Sequence, residues 1–450
     1  MSRAPVSRLS NPSFPMSTTA TTRPCSSDWP HAVATAAAVS PATVPADAPA
    51  IARAALRLLD RMQHGQLELH LPGGGHLHLG QGAEPLAVLR LHNWSLFGAA
   101  AARGDVGVGE TYIAGDWSTP DLAGLLRLFI HNRDQLESLV YGSWWGSLLS
   151  RLRHWRNRNT RAGSRRNIHA HYDLGNAFYA RWLDETMNYS SAWFEGRLDG
   201  DLVRAQHAKV HRALREAGVP VGGPTDAASP APRVLEIGCG WGALAEIATR
   251  DAGASVTGVT LSTEQLAWAQ ERLRRVGTSD RADLRLQDYR DIRDEPFDAV
   301  LSIEMFEAVG RSYWPSYFET VARCLKPGGR ACIQSITIRD DLFESYARST
   351  DFIQQYIFPG GLLPSETEFR RAAERAGLIV ERSFAFGADY AETLRRWRQR
   401  FLAEQVSVQR LGFDERFART WAFYLCYCEA AFDTGNTNVM QFTLRKPERV

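Results

Sequence analysis

No stretch of the 450-residue chain holds the roughly 18 consecutive apolar residues that a membrane-crossing helix needs, so any membrane contact is expected to be peripheral. Cysteine is scarce. The six residues at 25, 239, 324, 332, 426 and 428 show neither zinc-type spacing nor a paired disulfide framework, which points to a reducing cytoplasm. An excess of one charge is also missing, with 52 Lys and Arg against 50 Asp and Glu, so composition gives no reason to expect nucleic acid. No G-x-x-x-x-G-K-[ST] string occurs, which argues against a bound triphosphate. Acidic residues are absent from Ser138 to Tyr172, where Arg151, Arg153, Arg156, Arg158, Arg161, Arg165 and Arg166 crowd together with Trp144, Trp145 and Trp155. Arginine with interfacial tryptophan suits an anionic membrane face, and a solvated linker helix is the other reading. Both stay open. Residues 1–50 are rich in Ala, Ser, Thr and Pro with few large apolar side chains, and are expected to be a disordered tail. They have no acid before Asp28 and a faint likeness to a transit peptide, but no apolar signal core. Met16 is a second candidate start.

What is present is concentrated in Val234-Leu235-Glu236-Ile237-Gly238-Cys239-Gly240-Trp241-Gly242. A short apolar strand runs into a glycine-dense turn, and a helical segment follows. Glycine allows close backbone approach to a ligand, and such a turn at the carboxyl edge of a doubly wound sheet is a nucleotide site. A dinucleotide fold would show G-x-G-x-x-G and a carboxylate closing the next strand. Here the spacing is G-x-G-x-G, and Ser255–Ser262 ends in hydroxyls, with Gln265 one turn further on. The remaining common reading is an S-adenosylmethionine site.

The chain is long enough for two domains. From residue 51 to 155 the pattern predicts a small mixed domain: a helix Ile51–Met62, then strands Gln66–Leu71 and His76–Leu79 around the turn Pro72-Gly73-Gly74-Gly75. His70, His76 and His78 read as exposed strand residues, since no fourth ligand follows at suitable spacing. From 156 to 450 strands alternate with helices, which argues for a parallel sheet. The expected elements are strands Ala282–Gln287, Phe297–Ile303 and Ala331–Ile338, and a helix Trp314–Leu325 stopped by Lys326-Pro327-Gly328-Gly329. Helices Ser365–Ala376, Tyr390–Gln405 and Glu415–Phe432 and an edge strand Asn438–Leu444 complete the expectation.

Several separate strings then resemble the cyclopropane fatty acid synthase family, which includes the mycolic acid cyclopropane synthases. They are His171-Tyr172-Asp173-Leu174-Gly175-Asn176, Met187-Asn188-Tyr189-Ser190, the glycine loop with Trp241, and Gly258–Ser262 with Gln265. Further along come Gln287–Asp291, Met305-Phe306-Glu307, Tyr356–Gly361 and Gly387-Ala388-Asp389-Tyr390. The resemblance spans roughly residues 165–450, and more weakly 51–155. It implies an α/β fold, a Rossmann-like class I methyltransferase sheet beside the smaller amino-terminal domain. It also implies S-adenosylmethionine as cofactor. Gly238 and Gly240 would pack against it, Thr260, Leu261 and Gln265 would meet its ribose, and Asp288 and Tyr289 would flank adenine. Tyr189 would belong to a lid over the site, which keeps water from a strongly electrophilic methyl group.

The implied reaction is methyl transfer to a cis double bond in an unsaturated phospholipid acyl chain, with the alkene as nucleophile. The resulting carbocation is costly in an apolar tunnel and can be stabilised by aromatic faces. A base must then remove a proton. The resemblance implies bicarbonate for that role, bound by a glutamate, a tyrosine, an isoleucine amide, a cysteine and a histidine. These positions carry Glu307, Tyr390, Ile336, Ser191 and Gln334 here, so the cysteine and the titratable imidazole are absent. Ser and Gln still offer donors. Cys428 matches a family cysteine and reads as a core-facing thiol near the site, and Glu429 would draw interest if buried. The expected product is a cyclopropane fatty acid. A methylene or methyl branch, a small-molecule amine methyltransferase and a non-catalytic lipid-binding scaffold are the alternatives. The expected location is the cytoplasm at the inner membrane face, with a homodimer left open.

Overall fold

The computed structural model describes residues 44, 48–140, 174–222 and 230–448. Most of the 1–50 tail, the Arg/Trp stretch, His171 to Asp173 and the expected domain boundary near residue 155 lie outside them. The first element among the described residues is helix α1 (Ala50–Leu59), whose Ala52, Ala55, Leu56 and Leu59 are buried. Strands β1 (Gln66–His70), β2 (His76–Leu79), β3 (Leu86–Leu91) and β4 (Trp117–Ser118) form a four-stranded sheet in the order β2-β1-β3-β4. The expected hairpin turn is there, closed by Leu71 N–H on the Gly75 carbonyl at 3.0 Å. Helices α2 (Ser95–Ala114, broken at Gly104), α3 (Leu122–His131) and α4 (Arg133–Val140) complete this part.

A larger sheet follows. Its strands are β5 (Arg233–Ile237), β6 (Ser255–Thr260), β7 (Ala282–Leu286), β8 (Phe297–Ile303), β9 (Leu325–Ile338), β10 (Ile379–Ala385) and β11 (Thr437–Arg445). Their order is β10-β11-β9-β8-β5-β6-β7, with β5 to β9 parallel and β11 antiparallel to both β9 and β10. The order in which successive strands are added reverses at β5, with β6 and β7 lying to one side and β8 and β9 to the other. An open α/β sheet binds ligands at such a switch point.

The helices are α5 (Asn176–Trp182), α6 (Leu202–Glu216), α7 (Ala243–Asp251), α8 (Thr263–Val276), α9 (Trp314–Cys324), α10 (Asp340–Arg348), α11 (Phe352–Tyr356), α12 (Glu366–Arg375), α13 (Gly387–Ala403), α14 (Gln405–Arg410) and α15 (Glu415–Asp433). Strand alternation sorts the apolar side chains. Leu235, Ile237 and Val300 join Phe318 of α9 and Phe369 of α12 on one face. Val234, Val256 and Leu301 join Val210, Leu244 and Leu273 of α6, α7 and α8 on the other. A third core runs from Leu67 and Trp117 of the first sheet to Trp397 of α13 and Phe423 of α15, so the two sheets share apolar packing through these helices.

The strands and helices expected from 282 onward all form, with ends shifted by a few residues, but Asn438–Leu444 is not the edge strand expected: β11 lies between β9 and β10, and β10 takes the edge. The Lys326–Gly329 stop is an irregular start of β9. Strands β3, β4 and β10 have no counterpart in the sequence reading.

Candidate active site

The turn after β5 needs its glycines. Gly238 and Gly240 have φ of 87° and 48°, in the left-handed region. A Cβ on Gly238 would stand 2.9 Å from the Met305 side chain, whereas one on Gly240 would meet none of the described residues within 4 Å. That open space belongs to a cleft along the carboxyl ends of β5, β6 and β8. The cleft is lined by Tyr189, Glu236, Gly238, Gly240, Thr260, Leu261, Gln265, Asp288, Tyr289 and Glu304, so all eight expected cofactor residues face it.

Local geometry prepares several of them. The Ser262 hydroxyl caps α8 through the Gln265 amide. Thr260 Oγ1 donates to Gln265 Oε1 at 3.1 Å, which leaves the Gln265 NH2 to face a ligand. Asp288 caps the turn at Tyr289 and is held by the Arg290 guanidinium at 2.6 Å. Burial pushes the Tyr289 hydroxyl up to about 12. Glu236 is buried, burial holds its carboxyl well above the usual range, and its Oε2 has no partner among the described residues. Open volume over Gly240, an acid with one orphaned oxygen and a donor amide at the second strand fit an adenosyl cofactor.

The segment before the large sheet closes over this cleft. Trp241 Nε1 donates to Asn176 Oδ1 of α5 at 2.7 Å. Tyr189 follows Met187, a non-glycine residue with φ 53°, and its hydroxyl pairs with that of Tyr424 at 2.7 Å. Its ring lies 5.4 Å from Trp182 and 5.6 Å from Trp397, so an aromatic wall stands beside the lid. Tyr390 extends that wall, 4.4 Å from Phe432 and 6.1 Å from Trp397.

The expected anion-binding groups do converge, and their centre is a residue the sequence reading passed over. Ser191 N–H donates to Glu304 Oε1 at 2.8 Å, Gln334 Nε2 donates to the same oxygen at 2.7 Å, and Tyr390 OH donates to Oε2 at 2.6 Å. The Ser191 hydroxyl turns away, to the Ala192 carbonyl at 2.8 Å, so the donor from this position is backbone. Glu304 directly follows β8, with φ 49°. It lies deep in the protein but opens on the cleft. Burial raises its carboxyl, opposed by the Tyr390 bond, by the buried Lys209 ammonium and by the Ser191 and Gln334 bonds. Lys209 itself is lowered to about 8 by burial, and its Nζ donates to Ser190 Oγ at 2.6 Å.

Glu307 and Ile336 satisfy each other, the Ile336 amide donating to Glu307 Oε1. Glu307 Oε2 is buried without a partner among the described residues. Burial, and then the neighbouring Glu304, push this carboxyl up to about 8, so it is a neutral acid at pH 7. Two adjacent carboxyls thus stand in different surroundings, three donors and a nearby ammonium around Glu304 and the Ile336 amide on Glu307, the pattern by which acid and base roles are divided. The signal that could have found Glu304 is its place, the first residue beyond a parallel strand at the ligand-binding edge.

Other candidates take different places. Cys428 is half-buried, and burial pushes its thiol far up, so it is no thiolate nucleophile. Glu429 is buried and held by Arg398 at 2.7 Å, Arg395 at 3.3 Å and Arg127 at 3.4 Å, a link between α15, α13 and α3. His70 pairs with Glu68 at 2.7 Å. Among the described residues no cluster of His, Cys, Asp or Glu is placed to hold a metal, and no helix is long and apolar enough to cross a membrane.

Comparison with known proteins agrees with this geometry. Residues 159–442 match the family model of mycolic acid cyclopropane synthetase. A tuberculostearic acid methyltransferase of Mycobacterium tuberculosis is 40% identical over 348 residues, 76% of this chain and 79% of the relative. A cyclopropane-fatty-acyl-phospholipid synthase of Escherichia coli is 35% identical over 367 residues, 79% and 87% of the two chains. A solved mycolic acid cyclopropane synthase, complexed with SAH and CTAB, superposes with a TM-score of 0.57 at 31% identity, covering 63% of this chain and 98% of that one. The chain belongs to the cyclopropane fatty acid synthase family and is an S-adenosylmethionine-dependent methyltransferase.

Proposed function

We propose that the protein methylates a cis double bond in an unsaturated phospholipid acyl chain, giving a cyclopropane fatty acid. The observation that carries this reading is that one cleft joins the glycine loop to a hydrogen-bonded carboxylate beside an aromatic wall. The cofactor would rest on Gly238 and Gly240, with Thr260, Leu261 and Gln265 at its ribose and Asp288 and Tyr289 about its adenine. When bound it supplies a methyl group on a sulfonium, an electrophile strong enough for an alkene.

The residues of the chain do the rest. Tyr189 and the lid keep water from the electrophile. The faces of Tyr189, Tyr390 and Trp397 favour the positive charge that develops on the acyl chain. Ring closure then requires loss of a proton from the transferred carbon, and no thiolate is needed at Cys428. The resemblance implies bicarbonate as the acceptor, held by Ser191, Gln334, Ile336, Glu307 and Tyr390, but in this chain Ser191, Gln334 and Tyr390 are bonded to Glu304 and Ile336 to Glu307. The names of the relatives, which include a phospholipid synthase and a tuberculostearic acid methyltransferase, support a lipid substrate. Residues 51–155 are proposed as the lipid-associated domain, contacting the inner membrane face peripherally, and a homodimer fits this reading equally.

A methylene branch is the second reading. It is favoured by Ser191 and Gln334 standing where the resemblance implies Cys and His. It requires a 1,2-hydride shift that moves the cation to the methyl-bearing carbon before the proton is lost from the transferred methyl. The test is expression in a host that lacks such lipids, with mass spectrometry of fatty acid methyl esters. A gain of one CH2 on monounsaturated chains is expected, and NMR separates ring from branch. Unchanged chains alongside a methylated amine would reject the lipid reading.

A further inference from the structure

Removing a proton from a methyl carbon beside a cation requires a base at the far end of the cofactor cleft. We propose that this base belongs to the chain: the Glu304 carboxylate takes the proton directly, and no exogenous anion is used. The proposal rests on the lipid-alkylation reading and names the acceptor in it.

Four observations converge on this residue. Glu304 lines the cleft that also holds Gly238 and Gly240. Three donors fix it, the Ser191 amide at 2.8 Å, the Gln334 amide at 2.7 Å and the Tyr390 hydroxyl at 2.6 Å. A relay sets the sense of the Gln334 bond. Arg212 donates to Gln441 Oε1 at 2.7 Å, and Gln441 Nε2 donates to Gln334 Oε1 at 3.0 Å, so Gln334 can present only its NH2 to Glu304. Finally, the backbone holds Glu304 at φ 49°, a left-handed conformation that is strained for a non-glycine residue and gathers at functional sites.

The same contacts leave an external anion without a seat. Ser191, Gln334 and Tyr390 are spent on Glu304, and Ile336 is spent on Glu307. A carboxylate supplied by the fold occupies their focus. Burial makes it a stronger base than an exposed glutamate, as a proton acceptor requires.

The step balances without a redox partner. The C–H bond of the transferred carbon breaks and its proton goes to a Glu304 oxygen. The electron pair closes a C–C bond onto the adjacent cationic carbon, giving the ring. Neutral Glu304 returns the proton to solvent when the cleft opens.

The test uses the full-length protein, labelled cofactor and vesicles of monounsaturated phosphatidylglycerol. Wild type is expected to label the acyl chains equally in carbonate-free buffer and with added bicarbonate. Glu304→Gln, which keeps shape and most hydrogen bonds, is expected to keep its cofactor affinity and lose about 10²–10⁴-fold in kcat. Glu304→Ala is expected to recover part of the loss with added bicarbonate or formate, a rescue that a purely structural role would not give. Near wild-type kcat in Glu304→Gln, or a wild type that works only with bicarbonate, would overturn the assignment and leave the lipid function standing. A wild type that labels no acyl chain overturns the function and the assignment together.

Discussion

Glu304 and Glu307 sit three residues apart beyond one strand, yet their surroundings make them different acids. Glu304 is met by three donors and by the nearby Lys209 ammonium, while Glu307 has one amide donor, contact with the Ser335 hydroxyl and a like charge beside it. The Glu307 carboxyl, raised to about 8, is protonated in the folded state at pH values where the unfolded chain has released that proton. Folding therefore binds a proton between the ordinary glutamate range and about pH 8, so stability falls as pH rises through that window. Glu307→Gln removes the titration. Its melting temperature relative to wild type should rise between pH 5 and pH 9, as scanning calorimetry would record, and a parallel pH dependence in both proteins would refute the assignment. Gly240→Trp should fill the open space over the loop and abolish cofactor binding in calorimetry while the circular dichroism spectrum is retained. The glycine loop was legible in the sequence because glycine spacing reports backbone geometry directly. Glu304 was not, because its importance comes from Ser191, Gln334 and Tyr390, which reach it from three distant segments.

At the scale of elements, the start of α13 is what ties the lid down. Asp389 accepts from the Phe194 amide at 2.6 Å, and Thr393 Oγ1 accepts from the Ala192 amide at 3.2 Å while donating to the Asp389 carbonyl at 2.7 Å. The same helix supplies Tyr390, so lid position and the bond to Glu304 are coupled. Asp389→Ala leaves a buried amide unpaired, at a cost of about 1–3 kcal/mol. It should speed hydrogen exchange at residues 187–195 and raise the KM for the cofactor. Unchanged exchange there would show the lid to be held elsewhere. Most elements could be read from the sequence because parallel strands are buried on both faces and appear as apolar runs. Strand β10 escaped for the opposite reason: at the sheet edge its side chains are only partly covered, and Ile379-Val380-Glu381-Arg382-Ser383 shows no clear period. Strand β3 escaped because Leu86-Ala87-Val88-Leu89-Arg90-Leu91 follows a turn with few cues to its parallel pairing with β1.

Across the whole molecule, the amino-terminal sheet and the methyltransferase sheet meet through α13 and α15. The buried Glu429 holds this junction, with Arg127 from α3 and Arg395 and Arg398 from α13 around it. Glu429→Gln removes the buried anion they share, while Arg127 and Arg395 keep Asp433, and should destabilise the fold by about 1–3 kcal/mol. The effect is expected as a lower melting temperature with cofactor affinity unchanged at room temperature. Such a junction is invisible to local patterning, since its members lie about 300 residues apart in the chain. The alkylation account as a whole is tested most directly by purified protein, methyl-labelled S-adenosylmethionine and monounsaturated phospholipid vesicles. It predicts label in the hydrocarbon tails and a mass increase of one CH2. Label found only on an amine, with the tails unchanged, would contradict it.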